Sequence, residues 1–336
     1  MPGNDDRVRL TQPHIAVVLP LQSASFGRHA DAVRLGVQAA ANLQQDPSLP
    51  VIVYATTEDP PHILDTYERA LAAGARAVIG PLTRSGVSAL AGSSEIRVPT
   101  LALNVPELDA QLPRGMLYVF GLQIESEARQ VALYALRQGG TSAFIVVGDT
   151  PLGRRIAQAF SEEWRNRKGE IAEQFEYSTE PAMLAKLRER LTSSSANTVF
   201  LSVDSARARF IRPYLGTRQT IYATSLVFAS NADALEAYDL EGVRFMDMPW
   251  LLEPDNPAVI TYLRPELKTT GLEMERLYAL GIDAYRIVHA MLTQPDWNGS
   301  LDGVTGTVRL EGQQFVRDLV PAEFAGGTVR AVSVSR

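Results

Sequence analysis

The 336-residue chain carries 32 basic and 38 acidic side chains, for a formal net charge of -6. Hydrophobic residues make up 46% and charged residues 21%, which is typical of a folded globular protein and excludes global disorder. No apolar run approaches the ~18 residues of a membrane span, and no basic cluster provides the positive face that nucleic-acid binding needs. The absence of cysteine excludes disulfides and thiolate metal sites. Because domains average roughly 150 residues, the length predicts two of them.

The first third of the chain alternates strand-like runs with amphipathic helices. Apolar residues recur at helical spacing between the early strands, and Pro60-Pro61 opens a helix that ends at Gly74. The predicted strands are Ile15–Leu19, Val51–Ala55, Ala77–Ile79, Thr100–Leu103 and Leu117–Phe120.

The same alternation then begins again. Ser126 is predicted to cap a helix that stops at Gly139-Gly140. Two sets of five βα units indicate an α/β fold with two doubly wound parallel sheets. The second set of predicted strands is Phe144–Val147, Ile171–Tyr177, Val199–Val203, Ile221–Thr224 and Val243–Met246.

The tail departs from this alternation. Apolar residues at helical spacing predict a long helix over Glu273–Leu292. After it, Val304–Val308 indicates a hairpin or strand, and Thr328–Val334 a final strand. These elements need not belong to the domain that is nearest in sequence.

Signatures of common enzymes are absent from the sequence. There is no dinucleotide or phosphate-binding glycine loop and no nucleophile elbow. The four histidines, at positions 14, 29, 62 and 289, are scattered without metal-ligand spacing. We therefore expect no catalytic residue, no metal and no cofactor. The chain start has no basic region followed by an apolar one, which fits a cytoplasmic protein or an exported one whose signal lies outside this sequence.

Polar residues that follow the predicted strands are the candidate ligand site, because ligands of parallel sheets lie beyond the carboxyl ends of the strands. The loop from Pro20 to Arg28 could hold a carboxylate through hydroxyl and N–H groups, and the alternative is that Ser25 simply caps a helix. The candidates in the first domain are Gln22, Ser23, Ser25, Thr83, Arg84 and Asn104. Those in the second domain are Asp149, Thr150, Asp204 and Ser225.

Three of these candidates have charged side chains whose partners decide their role. Asp149 or Asp204 could bind an ammonium group, or could cap the helix that follows. An unpaired Arg84 suits a bidentate carboxylate or phosphate, whereas an acidic neighbour would make it structural.

A series of motifs resembles the LppC/LpoA lipoprotein family, within the type I periplasmic-binding-protein superfamily. The resemblance runs from His14 to Val334, and its most specific part is the helix motif Arg276–Tyr285. The other matching segments are Val18–Leu21, Phe26–Arg28, Ile79–Leu82, Leu101–Asn104, Phe120–Ala128 and Gly303–Gly306.

This resemblance supports two lobes joined by three crossovers. We expect the crossovers near Leu122-Gln123, Met248–Trp250 and Trp297–Ser300. The expected division is residues 10–122 in lobe 1, 123–248 in lobe 2, 249–297 returning to lobe 1 and 298–336 returning to lobe 2. Trp250 and Tyr278 join the ligand candidates because of the resemblance and their closeness to a crossover, and the alternative for both is packing.

The resemblance also implies a function. Members of the family are outer-membrane lipoproteins that activate class A penicillin-binding proteins, so we expect a non-catalytic regulator of peptidoglycan synthesis that binds such a synthase in the periplasm. The lipid anchor would lie outside this sequence. The alternative is a periplasmic receptor for a small polar, amino-acid-like ligand held between the lobes. In such receptors the third and fourth strand-end loops hold a carboxylate with hydroxyls; Thr83 and Ser85 fit the third loop, but Leu103-Asn104 offers none in the fourth.

Overall fold

The computed structural model describes residues 12–44, 49–107, 112–113, 115–230, 234–265 and 271–332. The chain divides into two units. Unit 1 comprises Met1–Leu122, Leu277–Leu301 and Val308–Val316, and unit 2 comprises Gln123–Arg276, Asp302–Thr307 and Arg317–Arg336.

Helices and strands alternate through the first part of each unit and give way to strands in the tail. The chain begins with β1 (His14–Leu19), α1 (Gly27–Asn42), β2 (Val51–Ala55), α2 (Pro60–Ala72), β3 (Ala75–Ile79), α3 (Arg84–Ala91), β4 (Thr100–Ala102) and β5 (Leu117–Phe120). It continues with α4 (Ile124–Arg137), β6 (Ser142–Val147), α5 (Pro151–Asn166), β7 (Glu170–Glu176), α6 (Pro181–Ser193), β8 (Thr198–Leu201), α7 (Ser205–Ile211), β9 (Thr220–Ala223), α8 (Ala234–Asp239) and β10 (Val243–Asp247). It ends with α9 (Pro249–Leu252), α10 (Pro257–Ile260), α11 (Leu272–Thr293), β11 (Leu301–Gly303), β12 (Gly306–Glu311), β13 (Gln314–Asp318), β14 (Val320–Ala325) and β15 (Thr328–Ala331).

An eight-stranded sheet, most of whose residues belong to unit 1, has the order β11-β12-β13-β5-β4-β3-β1-β2. The strands from β2 to β5 pair in parallel, and β13 joins β5 in parallel through Gln314 opposite Val119 and Phe315 opposite Phe120. All six residues of β1 are buried, as expected for a central strand covered on both faces.

The sheet of unit 2 has seven strands in the order β15-β14-β10-β9-β8-β6-β7. The strands β6 to β10 are parallel, whereas β14 pairs antiparallel with β10 and with β15. Successive residues of β6 supply two separate apolar cores, with Phe144 and Val146 in one and Ala143 and Ile145 in the other. This alternation shows that the sheet is covered on both faces.

The predicted α/β fold with two doubly wound lobes is confirmed. The strand predictions of both sets coincide with observed strands to within a few residues. The helix expected to be capped by Ser126 begins earlier, at Ile124, and Gln123 occupies the cap position. The last predicted strand ends at Ala331, and its expected end at Val334 lies outside the described residues.

The units depart from the expected division at two places. Residues 249–276 lie in unit 2 and not with unit 1, because Trp250 and the first turn of α11 are bonded to each other within unit 2. The second passage of the chain therefore falls at Arg276/Leu277, later than the expected Met248–Trp250. Residues 308–316 lie in unit 1, because β13 pairs with β5. The single late crossover becomes three passages, after residues 301, 307 and 316.

Within the described part of the chain, none of the helices has both the length and the apolar character needed to cross a membrane.

A close helix crossing stabilises unit 1. A Cβ atom on Gly281 of α11 would lie 2.1 Å from the Val33 carbonyl oxygen of α1, and one on Gly36 would lie 1.9 Å from the Tyr278 carbonyl oxygen. Real Cβ atoms do not approach backbone oxygens so closely, so the crossing requires glycine on both helices. The two backbones can pack only because these side chains are missing.

We predict that Gly281→Ala destabilises the protein by at least ~2 kcal/mol, because the two helix backbones must move apart to admit the methyl group. Urea unfolding measures the loss. Gly92→Ala is the matched control in the same unit, since its Cβ would meet its nearest atom at 3.5 Å. An equal effect in both variants would contradict the proposed close contact.

Candidate functional site

Both sheets contain the same five-strand arrangement, in the order 2-1-3-4-5 along each half of the chain. This order reverses direction between β1 and β3 in unit 1, and between β6 and β8 in unit 2. Such switch points leave a crevice at the carboxyl ends of the two strands, where ligands of doubly wound sheets bind. The predicted site residues of each unit follow these strands and their neighbours.

Three of the predicted residues of unit 1 are engaged in local structure. The Ser23 hydroxyl accepts hydrogen bonds from the backbone N–H groups of Ser25 and Phe26 at 3.2 and 2.9 Å, and a bond from Ser23 lowers the pKa of Glu58. Thr83 caps α3 by accepting from the Gly86 N–H at 3.3 Å. The Asn104 amide donates to the Leu82 carbonyl at 3.2 Å and accepts from the Val105 N–H at 3.0 Å. Ser23 therefore organises the turn, and Ser25 is not the helix cap.

The remaining predicted residues of unit 1 have available donors. Gln22 and Ser25 are exposed, and their side chains make no hydrogen bond to the described residues. The half-buried Arg84 donates from Nη2 to the Pro106 carbonyl at 3.3 Å, and its buried Nε has no partner among the described residues. None of the described acidic side chains forms an ion pair with Arg84. The guanidinium thus meets the predicted condition for an unneutralised cation.

Unit 2 neutralises its own switch point. Arg207 donates to Asp149 at 3.0 Å and to Asp204 at 2.5 Å, and its guanidinium lies 5.8 Å from the centre of the Tyr177 ring. The bond and charge of Asp204 raise the pKa of Arg207. Asp204 also caps α7 through the Arg207 N–H at 2.9 Å. An ammonium ligand would therefore have to compete with a cation of the protein itself.

The other two strand-end residues of unit 2 also have structural partners. Thr150 caps α5 by accepting from the Gly153 N–H at 3.0 Å. Ser225, at the end of β9, is buried, and its backbone N–H and its hydroxyl both donate to the carboxylate of Glu127, the hydroxyl at 3.0 Å.

Glu127 and Ser225 belong to a buried ionic cluster that also contains Asp247 and Arg276. The Arg276 guanidinium donates to Asp247 at 2.5 to 3.2 Å and to the Phe228 carbonyl at 2.8 Å. The side chains of Arg276 and Asp247 are only 15% and 3% exposed. Burial, followed by the Asp247 carboxylate, raises the pKa of Glu127 to about 7, although the bonds from Ser225 and the charge of Arg276 act in the opposite direction.

The two predicted aromatic residues lie in different units. Trp250 is fully buried in unit 2, where its indole N–H donates to Glu275 at 3.2 Å and the Arg264 guanidinium lies 4.1 Å from its ring centre. Arg264 also donates to Glu275 at 2.9 Å. Tyr278 is buried in unit 1, on the helix that crosses α1. Both side chains are buried, and Trp250 is held by a hydrogen bond and a cation–π contact within unit 2.

Sequence reasoning assigned no role to Glu127, Arg207, Asp247 or Arg276. Glu127 carried a detectable signal, because it lies on the apolar stripe of α4 with Val131 and Ala135, where a charged residue is out of place. Arg276 stood at the start of the most specific family-like motif. Nothing in the sequence pairs Arg207 with Asp149, since 58 positions separate them.

We predict that Arg276→Met destabilises the protein by roughly 3–5 kcal/mol, because it leaves Asp247 buried without its counter-charge. Urea unfolding near neutral pH measures the change. Arg69→Met is the matched control, since Arg69 pairs with Asp65 at 3.2 Å on the surface and such pairs contribute at most ~1 kcal/mol. If Arg276→Met lowers the free energy of unfolding no more than Arg69→Met does, then Arg276 is not the counter-charge on which the buried Asp247 depends.

Comparisons with known proteins identify relatives of this chain in sequence and in structure. Among curated proteins, the penicillin-binding protein activator LpoA of Vibrio vulnificus (strain YJ016) is 24% identical over 351 residues, which cover 92% of this chain and 57% of that protein. LpoA of Haemophilus ducreyi is 27% identical over 304 residues, covering 88% of this chain and 50% of that protein. The chain thus spans about half the length of the curated relatives it matches.

Solved structures match over nearly the whole chain. One from Chromobacterium violaceum, described as a "putative branched-chain amino acid ABC transporter", is 35% identical with a TM-score of 0.80, covering 93% of this chain and 100% of that one. The LpoA C-domain of Haemophilus influenzae, described as a regulator of PBP1A, is 22% identical with a TM-score of 0.79, covering 95% of this chain and 100% of that one. Residues 6–327 match the family described as "LppC putative lipoprotein". Since that match takes in both units, the chain belongs to the LppC family.

Proposed function

We propose that this chain is a non-catalytic regulator of peptidoglycan synthesis that binds and activates a class A penicillin-binding protein. The observation that carries the proposal is the LppC family match across residues 6–327, whose curated relatives are named penicillin-binding protein activators. In the full-length protein we propose a periplasmic location, with an outer-membrane lipid anchor outside this sequence.

The chemistry of the switch points supports a regulator over an amino-acid receptor. A receptor needs convergent polar groups that await the ligand. In unit 2, Asp149 and Asp204 are instead occupied by Arg207, and Thr150 and Ser225 are bonded within the unit. In unit 1, the Asn104 amide bonds the backbone through both its nitrogen and its oxygen. A domain whose candidate ligand groups bond each other is suited to act through its outer surface.

The test is direct binding and activation. We predict that the purified chain binds a class A synthase of the same organism and raises its rate of peptidoglycan polymerisation or cross-linking, because the relatives are activators. Biolayer interferometry and a purified lipid II assay measure the two effects. A monofunctional transpeptidase from the same organism is the control partner and should show neither. Failure to bind any class A synthase of that organism would contradict the proposal.

A second candidate is a solute receptor, and one observation favours it. The 35% identical Chromobacterium violaceum structure is described as a "putative branched-chain amino acid ABC transporter". In this chain, Arg84 supplies a half-buried guanidinium at the unit 1 switch point, and its Nε has no partner within the described ranges. A carboxylate or phosphate is the ligand class that such a group binds. Gln22 and Ser25 are exposed on the loop after β1.

The receptor candidate predicts ligand-dependent stabilisation that Arg84→Gln removes. A ligand at a hundredfold excess over its Kd should stabilise the wild type by about 2.7 kcal/mol, and loss of the charged donors should weaken binding roughly tenfold or more. Thermal shift with acetate, inorganic phosphate and free amino acids is the measurement. Arg76→Gln, an exposed arginine of β3, is the control. No stabilisation by any probe, or an equal effect of both substitutions, would remove this candidate.

A further inference from the structure

The buried ionic cluster lies where the chain enters and leaves unit 2. Glu127 is in the first turn of α4, just after the chain enters unit 2 at Gln123. Arg276 is in the first part of α11 and is the last residue before the chain passes to unit 1 at Leu277. The starts of α4 and α11, which are distant in sequence, therefore both contribute side chains to this cluster.

The cluster has one acid more than it has bases. Asp247 and Arg276 neutralise each other through hydrogen bonds of 2.5 to 3.2 Å. Glu127 is then left with Ser225 as its hydrogen-bonding partner, which contributes two donors and no charge. A second ionised carboxylate in a site closed to water is costly, and there are two ways to relieve that cost. Glu127 can hold a proton, or the site can open to water.

We propose that the buried ionic cluster is a proton-operated latch, which keeps the first turns of α4 and α11 closed while Glu127 carries a proton and loosens them when that proton leaves. This proposal is independent of the proposed function, since it concerns only contacts within unit 2. The protonated carboxyl fits the geometry, because Ser225 can still donate its backbone N–H to one oxygen while its hydroxyl accepts from the other.

The groups that face Glu127 come from three elements. Ser225 follows β9, Asp247 ends β10, and Arg276 lies on α11, where Glu273 also acts on the Arg276 charge. All four histidines of the chain, at positions 14, 29, 62 and 289, belong to unit 1. Unit 2 therefore has no histidine whose titration would imitate that of Glu127.

The direction of the pH effect follows from the two states of the latch. In the open state Glu127 has its ordinary pKa of 4.5, and in the closed state burial raises the pKa to about 7. Between these values the open state binds fewer protons, so opening becomes more favourable as the pH rises. One proton gives a slope of about tenfold per pH unit. Above the closed-state pKa both forms are ionised, and the opening equilibrium becomes constant.

Hydrogen exchange of the whole chain, corrected for intrinsic rates, tests this from about pH 5 to about pH 8. In the wild type, we read opening at the Ser225 N–H, which donates to the Glu127 carboxylate, and at the Glu127 N–H, which donates to the Gln123 carbonyl. We expect their opening to rise about tenfold per pH unit and then level off. Glu127→Gln, which mimics the protonated acid, should give a flat profile with full protection throughout. Glu125→Gln in the same helical turn, where Glu125 pairs with Arg155 at 2.9 Å, should keep the wild-type profile.

A second variant keeps the proposal testable should Glu127→Gln fail to fold. Ser225→Ala removes a hydrogen bond that favours the ionised carboxylate, so it should raise the pKa of Glu127 in the closed state. The pH at which opening levels off should rise with it. A carbon-13 titration of the Glu127 carboxyl in the wild type measures the same shift directly. The latch is overturned if wild-type opening does not change with pH, if the glutamine variant keeps the wild-type slope, or if the carboxyl titrates near its ordinary value.

Discussion

A buried guanidinium needs acceptors for its N–H groups and a counter-charge, because it has lost its contacts with water. This constraint fixes how several elements of unit 2 pack around Arg276. The Arg276 guanidinium donates hydrogen bonds to the Asp247 carboxylate and the Phe228 carbonyl. The end of β10 and the loop after β9 must therefore both lie against the first part of α11. The neighbouring Glu275 binds Trp250 and Arg264 and brings α9 to the same helix. Such an arrangement adds little net stability over an apolar one, but it specifies one packing, because any other leaves a charge buried alone.

The two switch points show that one topology can carry opposite electrostatics. Both lie between the first and third strands of their sheets, and both have an arginine near the start of the following helix, at positions 84 and 207. Arg207 has two aspartates beside it, whereas among the residues that the structure describes Arg84 bonds a carbonyl and no carboxylate. Because a fold does not determine a function, the side chains at these equivalent places have to be considered one by one.

Periodicity predicts the fold well because its signal is repeated in every βα unit. The buried strands are short, uninterrupted apolar runs, and the helices have apolar stripes and end at glycines. The errors therefore concern boundaries, such as the start of α4 at Ile124. In the tail, α11, the hairpin around Val304–Val308 and β15 are predicted, but β13 and β14 are not, and the reason is physical. β13 is half-polar and pairs with a strand about two hundred positions earlier, opposite Val119 and Phe120, and local pattern carries no information on such a partner.

The sequence predicts which polar residues follow the strands, but not what those residues bond to. Topology alone cannot distinguish an oxygen that caps a helix from one that is free. Thr83, Thr150 and Asp204 all proved to be helix caps, which their residue types already favour. The ion pairs could not be predicted, because residues such as Arg276 and Asp247 are 29 positions apart in the sequence. No short sequence motif links positions with that separation.

The interleaved tail affects the order in which the protein is made. Unit 1 takes its strand β13 from residues 314–318, and unit 2 takes β14 and β15 from residues 320–331. A chain that emerges from its amino end therefore has neither unit complete until residues 314–331 have been synthesised. Domains of most proteins can fold one after the other during synthesis. Here an edge of each sheet stays open until these strands are made, and a single premature stop before β13 would leave both units unfinished.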